Sequence, residues 1–271
     1  TRRSSDLRRP LAEFLTSEQS SSLNERMKGA RDVAVDAKIT DVQRTKICRS
    51  RWDHFRSGET SQGVFEVMWS ELLAMGFNKC AFCEIPEPTT VEHLDPIARA
   101  HQRTFDWLNL LAACSTCNTH REHSGIDALP FDPSLKEPLD LFGWDEYGNF
   151  APRPGCEQDV DDLVKTYGLH RYRGEREVVV KVLRHQLTLL IRVESERENT
   201  TEMLRKLLAP EKAWLGPIRE YLLRPPSEVD DLLIQGALHL LPDLRRWVAP
   251  WLRPPAWAPD WWHDVAAVGS E

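Results

Sequence analysis

Four of the six cysteines in the sequence form two pairs in which two residues separate the cysteines. The pairs are Cys80 with Cys83 and Cys114 with Cys117, whereas Cys48 and Cys156 stand alone. Four thiolates at this spacing suit the tetrahedral coordination that Zn²⁺ adopts in structural sites. The N-terminus has no apolar segment typical of a signal peptide, so a disulfide framework is not expected. No βαβ pattern surrounds the pairs, which also disfavours a redox-active thiol site.

Thirty residues separate the two cysteine pairs. Compact four-cysteine zinc fingers have about 15–20 residues at this place, so a substantial element must fold between the pairs. The insertion contains an acidic residue beside a histidine, Glu92 and His93, in the segment V-E-H-L-D-P. It also contains Asn109 in the segment W-L-N-L, and a further asparagine, Asn118, directly follows the last cysteine. The cysteine pairs therefore bracket carboxylate, imidazole and amide groups.

The order of these motifs resembles that of the HNH endonuclease family, in particular its zinc-containing variants of the HNN type. The matching pattern is C-x-x-C, E-H-φ-x-P, W-x-N-L and C-x-x-C-N, and it extends over residues 80–124. The resemblance implies a ββα-metal fold, in which two strands form a hairpin and a helix packs across it. It also implies hydrolysis of phosphodiester bonds in DNA, where one active site cuts one strand at a time.

Phosphodiester hydrolysis requires a base for the attacking water, a Lewis acid at the phosphate and stabilisation of the leaving oxygen. The resemblance assigns His93 as the base and Asn109 as the brace of the loop that carries it. It assigns Glu92 and Asn118 as ligands of a catalytic Mg²⁺ or Mn²⁺, for which carboxylate and amide oxygens are suitable. In this scheme the zinc is structural, and its ligands are Cys80, Cys83, Cys114 and Cys117.

The sequence departs from the family pattern at two positions. Asn118 stands where the family often has histidine, and Arg121 stands where it usually has lysine. We interpret Arg121 as a phosphate clamp, because a guanidinium group matches the geometry of a phosphate. His120 and His123 follow closely and could replace Asn118 as a ligand, but they cannot both share its helix face.

Each of these residues also has a purely structural interpretation. His93 could be a histidine that binds a backbone carbonyl, and Asn109 could be a turn residue. Asn118 could be a helix N-cap. His101, which lies between the predicted base and Asn109, is expected at the surface.

The spacing of apolar residues predicts the elements that hold these motifs. Residues 64–77 have apolar positions at helical spacing, and Gly76 is predicted at the C′ position of that helix. A short strand is predicted around residues 91–94, and the turn of a hairpin near residues 146–149. From residue 159 onward the pattern indicates one or two long amphipathic helices.

The chain of 271 residues has 35 basic and 42 acidic residues, a formal net charge of −7 and a mean hydropathy of −0.47. No apolar run approaches the roughly 18 residues that a membrane span requires, so we expect no membrane association and a cytoplasmic location. A chain this acidic is not expected to coat nucleic acid through its global charge, but it can contain a nuclease that relies on a local site. Residues 1–60 depart from this balance, since they contain 13 basic and 9 acidic residues.

We predict an α+β protein with three parts. Residues 1–60 form an N-terminal helical arm, residues 61–156 form the nuclease core with its four-cysteine zinc site, and residues 157–271 form a helical region with a Trp-rich and Pro-rich end. The zinc-stapled ββα-metal core is thus embedded in a mostly helical protein. At about 150 residues per domain, the length allows one large domain or two small ones.

The predicted C-terminal region contains two features that suit a partner or a substrate. Basic residues follow one another along its first helices, and they form either a solvated helix face or a face that contacts phosphates. They include Arg171, Arg173, Arg176, Lys181, Arg184 and Arg192. Five of the ten tryptophans lie within residues 247–262, where prolines prevent a continuous helix. These aromatic side chains either wrap onto the core or dock on a partner.

Two segments downstream of the motif, residues 129–150 and 167–176, resemble one HNH subgroup, the nuclease subunits of Septu-type and retron-linked anti-phage systems. That resemblance implies an ABC/SMC-like ATPase as a partner. The expected partners are therefore DNA, this ATPase and, for cleavage of both strands, a second copy of the chain as a homodimer. Two other functions also fit the motif: a stand-alone restriction-type HNH nuclease, and a catalytically inert, zinc-stabilised nucleic-acid-binding or adaptor module.

Overall fold

The computed structural model describes residues 11–57, 63–124, 132, 138–209, 212–244 and 247. Within these ranges the protein is an α+β structure in which helices predominate over two small antiparallel sheets, as predicted. The helices, in chain order, are α1 (Ser17–Val35), α2 (Asp41–Arg56), α3 (Val64–Met75), α4 (Ser115–His123), α5 (Glu157–Tyr167), α6 (Arg173–Arg192), α7 (Arg197–Leu207), α8 (Leu215–Leu223) and α9 (Glu228–Leu240). The strands are β1 (Thr90–His93), β2 (Leu110–Ala113), β3 (Phe142–Trp144) and β4 (Phe150–Pro152). None of the described helices is long and apolar enough to cross a membrane.

Helices α1 and α2 each begin at a capping box. The Thr16 hydroxyl accepts a hydrogen bond from the Gln19 backbone N–H at 3.2 Å, and the Gln19 side chain accepts one from the Thr16 N–H at 3.0 Å. Thr40 and Gln43 repeat the arrangement at the start of α2. Such boxes satisfy backbone donors that have no partner within the helix. Two well-capped helices therefore occupy the segment that we expected to be an arm.

The inner face of α2 packs against the strands that hold the predicted active-site motif. Trp52 and Phe55 are buried on this face and contact Phe105, which belongs to the connection between β1 and β2. The Phe55 and Phe105 rings meet edge to face at 5.4 Å, and the Trp52 and Phe105 ring centres are 5.9 Å apart. Buried residues of α1, α3, β1 and β2 join the same hydrophobic cluster. The N-terminal helices thus share one core with the strands.

Strands β1 and β2 form an antiparallel pair in which His93 lies opposite Leu110. Strand β1 lies one residue before the strand predicted at residues 91–94. Helix α4 follows β2 after a single residue, Cys114, whose sulfur caps the helix by accepting a hydrogen bond from the Cys117 N–H at 3.4 Å. Helix α4 then packs against β1. Two paired strands followed by a helix are the ββα arrangement that the motif predicts.

Helix α3 ends at Met75, slightly before the predicted end. Gly76 is the C-cap, with a φ of −91°, and is not the left-handed C′ residue that we expected. The left-handed conformation falls on Phe77 and Asn78, with φ values of 53° and 57°. The Asn78 N–H donates to the Leu73 carbonyl at 2.8 Å, and this bond turns the chain toward the first cysteine pair.

The predicted hairpin near residues 146–149 is present, since β3 and β4 pair antiparallel with Trp144 opposite Phe150. Helices α6 to α9 form a separate hydrophobic cluster. The Arg153 guanidinium, just beyond β4, donates to the Glu220 carboxylate of α8 at 2.7 Å. This partly buried ion pair attaches the hairpin to the C-terminal helices.

Two contacts join the turn of the first cysteine pair to the C-terminal half. The Phe82 ring stacks on the Tyr167 ring at the end of α5, with 3.7 Å between ring centres. The Glu84 carboxylate accepts a hydrogen bond from the Gly216 N–H in the first turn of α8, at N–O distances of 3.1 and 3.2 Å. A carboxylate is favoured at this place, because the start of a helix has a partial positive charge.

The Trp-rich end is described at one residue only. Trp247 packs against the cluster of C-terminal helices, beside the fully buried Leu244. The first of the five tryptophans therefore wraps onto the core. The other four lie outside the described residues, and they are Trp251, Trp257, Trp261 and Trp262.

Two glycines with left-handed backbones give a matched test of the packing between the hairpin and α6. Gly148 has a φ of 75°, and a Cβ there would collide with the backbone of Arg173 at the start of α6. Gly155 has a φ of 83° with open space around it. We expect Gly155→Ala to cost about 1–2 kcal/mol of unfolding free energy, the conformational penalty alone. Gly148→Ala should cost roughly 1–3 kcal/mol more, because the methyl group also displaces backbone.

Urea unfolding of both variants measures this difference. Equal losses for Gly148→Ala and Gly155→Ala would show that the hairpin turn is not held against α6 as the structure describes.

Candidate active site and metal centre

The sulfur atoms of the four paired cysteines meet at one point, where all lie within 4.8 Å of one another. Three of these side chains are buried and Cys114 is partly exposed. The first pair lies on a turn held by bonds from the Cys80 N–H to the Ile85 carbonyl at 2.8 Å and from the Ala81 N–H to the Ala112 carbonyl of β2 at 3.0 Å. The second pair lies at the start of α4. The four cysteines are therefore positioned to bind a metal ion.

The electrostatics of this cluster favour a cation. Hydrogen bonding to Cys114 together with burial raises the pKa of both Cys83 and Cys117. Four thiolates this close repel one another, so their joint ionisation requires a bound cation. The Arg171 guanidinium supplies part of the positive charge, since its Nη2 donates to the Cys117 sulfur at 3.2 Å. Sulfur donors in this number suit Zn²⁺.

His93 ends β1 and is buried against α2. Its Nε2 lies 3.0 Å from the Thr104 carbonyl oxygen. A carbonyl only accepts hydrogen bonds, so Nε2 carries the proton and Nδ1 carries the lone pair. The ring meets Trp52 edge to face at 4.6 Å between ring centres. Burial lowers the pKa of His93 to about 4, which leaves the imidazole neutral and able to accept a proton at neutral pH.

Asn109 is fully buried and makes three hydrogen bonds to the loop that follows His93. Its Oδ1 accepts from the Asp95 N–H at 2.7 Å, and its Nδ2 donates to the Asp95 carbonyl at 3.0 Å and to the Arg103 carbonyl at 3.2 Å. The Asn109 side chain therefore links Asp95, near the start of the loop, to Arg103, near its end. Since this loop also holds Thr104, the bonds of Asn109 fix the carbonyl that orients the His93 ring.

Glu92 and Arg121 face each other with both side chains only 4% exposed. The Arg121 Nε lies 3.6 Å from a Glu92 carboxylate oxygen, and its Nη2 donates to the Leu94 carbonyl at 3.4 Å. Arg121 thus contacts β1 and the residue after it from α4. The guanidinium predicted as a phosphate clamp is held beside the predicted metal ligand.

Asn118 is the fourth residue of α4 and is partly exposed. The N-cap interpretation is wrong, because Cys114 occupies that position. The Asn118 Nδ2 lies 3.5 Å from the Val91 carbonyl of β1, which turns the amide toward the strand. His120 is exposed and lies beside Gly168, away from this contact.

Glu92, His93, Asn118 and Arg121 line one cleft with a volume of about 470 Å³. The structure therefore brings together the predicted base and both predicted ligands of the catalytic ion. Asn109 lies behind the cleft, where it supports the loop. Within the described residues, the oxygen donors at this cleft include the buried Glu92 carboxylate, the exposed Asp53 carboxylate and the Asn118 amide, a set that suits Mg²⁺ or Mn²⁺.

The sequence interpretation missed the wall of the cleft that α2 supplies. Arg49, Trp52 and Arg56 of α2 line it together with Arg99 from the loop after β1. A signal for this wall was present in the excess of basic residues within residues 1–60. The periodicity of α2 did not show which strand its buried face would meet.

One other expectation is corrected by the structure. His101 is not at the surface, because it is only 6% exposed and its Nε2 lies 2.9 Å from the Thr45 hydroxyl of α2. The basic residues of the C-terminal region match the solvated helix face in part, since the exposed Lys181 pairs with Glu177 one turn away. Arg176 is buried and donates to the Gly148 and Leu169 carbonyls, and Arg184 pairs with Asp230 at 2.8 Å.

Residues 80–124 match the family model of HNH endonucleases. This segment, which holds both cysteine pairs, β1, β2 and α4, is an HNH endonuclease domain with four cysteines positioned to bind a metal. The match covers 45 of the 271 residues. Neither a search of curated proteins nor a search of solved structures finds a match to the chain.

We expect the purified chain to contain one zinc ion, and Cys80→Ser to lose both the zinc and the folded core. The reason is that metal-binding free energy at such a site is folding free energy. Cys156→Ser is the matched control, since that thiol stands outside the cluster and should leave zinc content unchanged. Elemental analysis and thermal unfolding of both variants measure these effects. A folded sample without zinc would contradict the assignment.

Proposed function

We propose that the protein is a metal-dependent HNH endonuclease that hydrolyses phosphodiester bonds of DNA. The observation that carries this proposal is the state of His93. A neutral imidazole, with Nδ1 as its acceptor, lines the same cleft as Glu92 and Asn118 inside the segment that matches the HNH model. The cleft therefore combines a proton acceptor with oxygen donors for a divalent ion.

In the proposed reaction, Nδ1 of His93 takes a proton from the water that attacks the phosphorus atom. The bond from Nε2–H to the Thr104 carbonyl keeps the ring in the required tautomer and orientation. The same carbonyl stabilises the positive charge that the ring acquires with the second proton. Burial against Trp52 opposes protonation of the resting imidazole, so the base is ready at neutral pH.

Glu92 and Asn118 would hold the catalytic divalent ion through a carboxylate and an amide oxygen. Such an ion, when bound, acts as a Lewis acid on the phosphate and neutralises the leaving oxygen. Arg121 would hold the Glu92 carboxylate in place, since its Nε lies 3.6 Å from a carboxylate oxygen. Arg121 would also serve as a phosphate clamp, because its guanidinium lines the cleft.

Asn109 acts as a positioning residue in this scheme. It contacts neither the cleft nor the reacting atoms, and its three bonds hold the loop that carries Thr104. The zinc bound by the four cysteines is structural. It joins the turn before β1 to the start of α4 and so supports the two elements that carry Glu92 and Asn118.

We further propose that the nuclease is the effector of an anti-phage defence system, with an ABC/SMC-like ATPase as its partner. Support comes from the sequence resemblance of residues 129–150 and 167–176 and from the size of the HNH domain, which leaves most of the chain for other tasks. Cleavage of both DNA strands would require two active sites, and a homodimer supplies them. We place the complex in the cytoplasm, where its DNA substrate is accessible.

His93→Ala should reduce nicking of supercoiled plasmid in Mg²⁺ or Mn²⁺ by roughly 10²–10⁴-fold, the usual effect of losing a general base. The ring packs against Trp52, so His93→Gln provides a second variant that can still donate toward the Thr104 carbonyl. His120→Ala is the control, since it removes an exposed histidine of α4 in the same HNH domain. Initial rates from agarose gels give the measurement.

Near-parental nicking by a folded, zinc-containing His93→Gln protein would contradict the assignment of His93 as the general base. If neither the unmodified chain nor its metal-loaded form cuts DNA, the inert adaptor becomes the better description.

A tagged full-length chain, isolated from the cells that encode it, should copurify with an ATPase. The Trp-rich end is the proposed docking segment, because aromatic side chains are frequent interface anchors. A chain that ends after Trp247 keeps the buried Leu244 and Trp247, so it should stay folded and retain zinc while losing the ATPase. Mass spectrometry of the eluted proteins identifies the partner.

Two results would count against this part of the proposal. Copurification that survives the truncation places the docking surface elsewhere. Plasmid cleavage by a chain that copurifies with no ATPase would favour the stand-alone restriction-type nuclease.

A further inference from the structure

The outer face of α2 forms the floor of an open groove with a volume of about 950 Å³. The groove runs into the HNH cleft, because Arg49, Asp53 and Ala98 line both. We call this surface the α2 groove and define it by Lys46, Arg49, Ser50 and His54. An extended ligand that lies in the α2 groove therefore adjoins the cleft that His93 lines.

Helix α2, which lines the α2 groove, is positively charged in an otherwise acidic protein. Helix α2 contains five basic and two acidic residues, whereas the whole chain has a net charge of −7. Lys46, Arg49 and Arg56 are exposed and recur at spacings of three and seven residues, which places them on one helix face. At 1.5 Å per residue, these cations extend over about 15 Å along the helix.

The two acidic residues of α2 have basic partners on the same helix. Asp41 pairs with Arg44 at 2.5 Å, and Asp53 lies 3.8 Å from Arg56. Lys46 and Arg49 lie between these pairs and have open space in front of them. The basic residues near α6 differ, since Arg176 and Arg184 are engaged with carbonyl and carboxylate groups of the protein.

The helix that carries these cations is rigidly held. Its opposite face buries Trp52 and Phe55, and its first turn is closed by the capping box of Thr40 and Gln43. His101 adds a bond to Thr45. A ligand in the groove therefore meets charges whose backbone is already ordered, which lowers the entropic cost of binding.

We propose that the α2 groove binds the sugar–phosphate backbone of duplex DNA and leads it to the HNH cleft, independently of base sequence. This inference rests on the proposed nuclease function and names the surface that holds its substrate. The ligand is a regularly spaced polyanion, because Lys46 and Arg49 in the groove and Arg56 in the adjoining cleft form a row along one helix face. Phosphate contacts of this kind provide most of the sequence-independent affinity for DNA.

The test measures binding of a fluorescein-labelled 20-base-pair duplex to the full chain by fluorescence anisotropy, without added divalent ions, at several salt concentrations. The test variant is Lys46→Gln with Arg49→Gln. The matched control is Arg205→Gln with Lys206→Gln on α7, which removes the same charge from an exposed surface that lines neither the α2 groove nor the HNH cleft.

Loss of two phosphate contacts should make the negative slope of log association constant against log salt shallower by about 1.8. Binding should weaken roughly 10- to 60-fold at 0.1 M salt. The control should keep the slope of the unmodified chain. An unchanged slope in the test variant would overturn the inference, and so would an equal loss in the control or no DNA binding by the unmodified chain. Thermal unfolding and zinc content of each protein verify that the variants are folded.

Plasmid nicking separates failure of this inference from failure of the proposed function. The Lys46→Gln/Arg49→Gln chain should show a raised KM, whereas His93→Gln should lose kcat and keep the binding slope. If His93→Gln loses nicking while the groove variant keeps the parental KM, the DNA-binding role of the groove would be rejected. The nuclease assignment would stand. If the groove variant binds DNA more weakly but no protein nicks plasmid, the groove assignment would stand and the nuclease assignment would fail.

Discussion

The structure depends on one constraint, the meeting of four sulfur atoms that come from the two ends of the HNH domain. Strands β1 and β2 have four residues each, and α4 has nine, so these elements bury little surface by themselves. Bringing the two cysteine turns to one point closes the domain and fixes the start of α4 relative to β1. The cleft lies between these elements, and its geometry therefore depends on the metal centre even though the cysteines do not line it.

The domain is completed by packing from both flanks. On one side α2 contributes Trp52 and Phe55 to the core beneath β1 and β2. On the other side Tyr167 of α5 stacks on Phe82 in the first cysteine turn. The short HNH domain thus obtains its hydrophobic core from helices that lie before and after it in the sequence. The described parts of the flanking regions belong to the folded unit that contains the cleft.

Spacing and residue type were sufficient to predict the cysteine cluster and the hairpin, whereas the ββα order and the grouping of Glu92, His93 and Asn118 came from the resemblance to HNH endonucleases. These features arise within short stretches or from a motif whose members must act together. Burial of His101 and the contribution of Arg49 to the cleft were not predicted. Both follow from the packing of α2 against residues about 50 positions away, and helical periodicity gives the buried face of a helix without its partner. The alternative interpretation of Asn118 as an N-cap fails because Cys114 occupies that position and also belongs to the cysteine cluster.

The bond between Glu84 and the Gly216 N–H has a consequence for biosynthesis. These residues are 132 positions apart, and the acceptor belongs to the turn that carries the first cysteine pair. During translation, this turn can accept the hydrogen bond from Gly216 only after α8 has left the ribosome. Contacts of such long sequence separation form late and slow folding. The turn of the first cysteine pair consequently gains its contact with α8 only after the chain has been synthesised beyond residue 216.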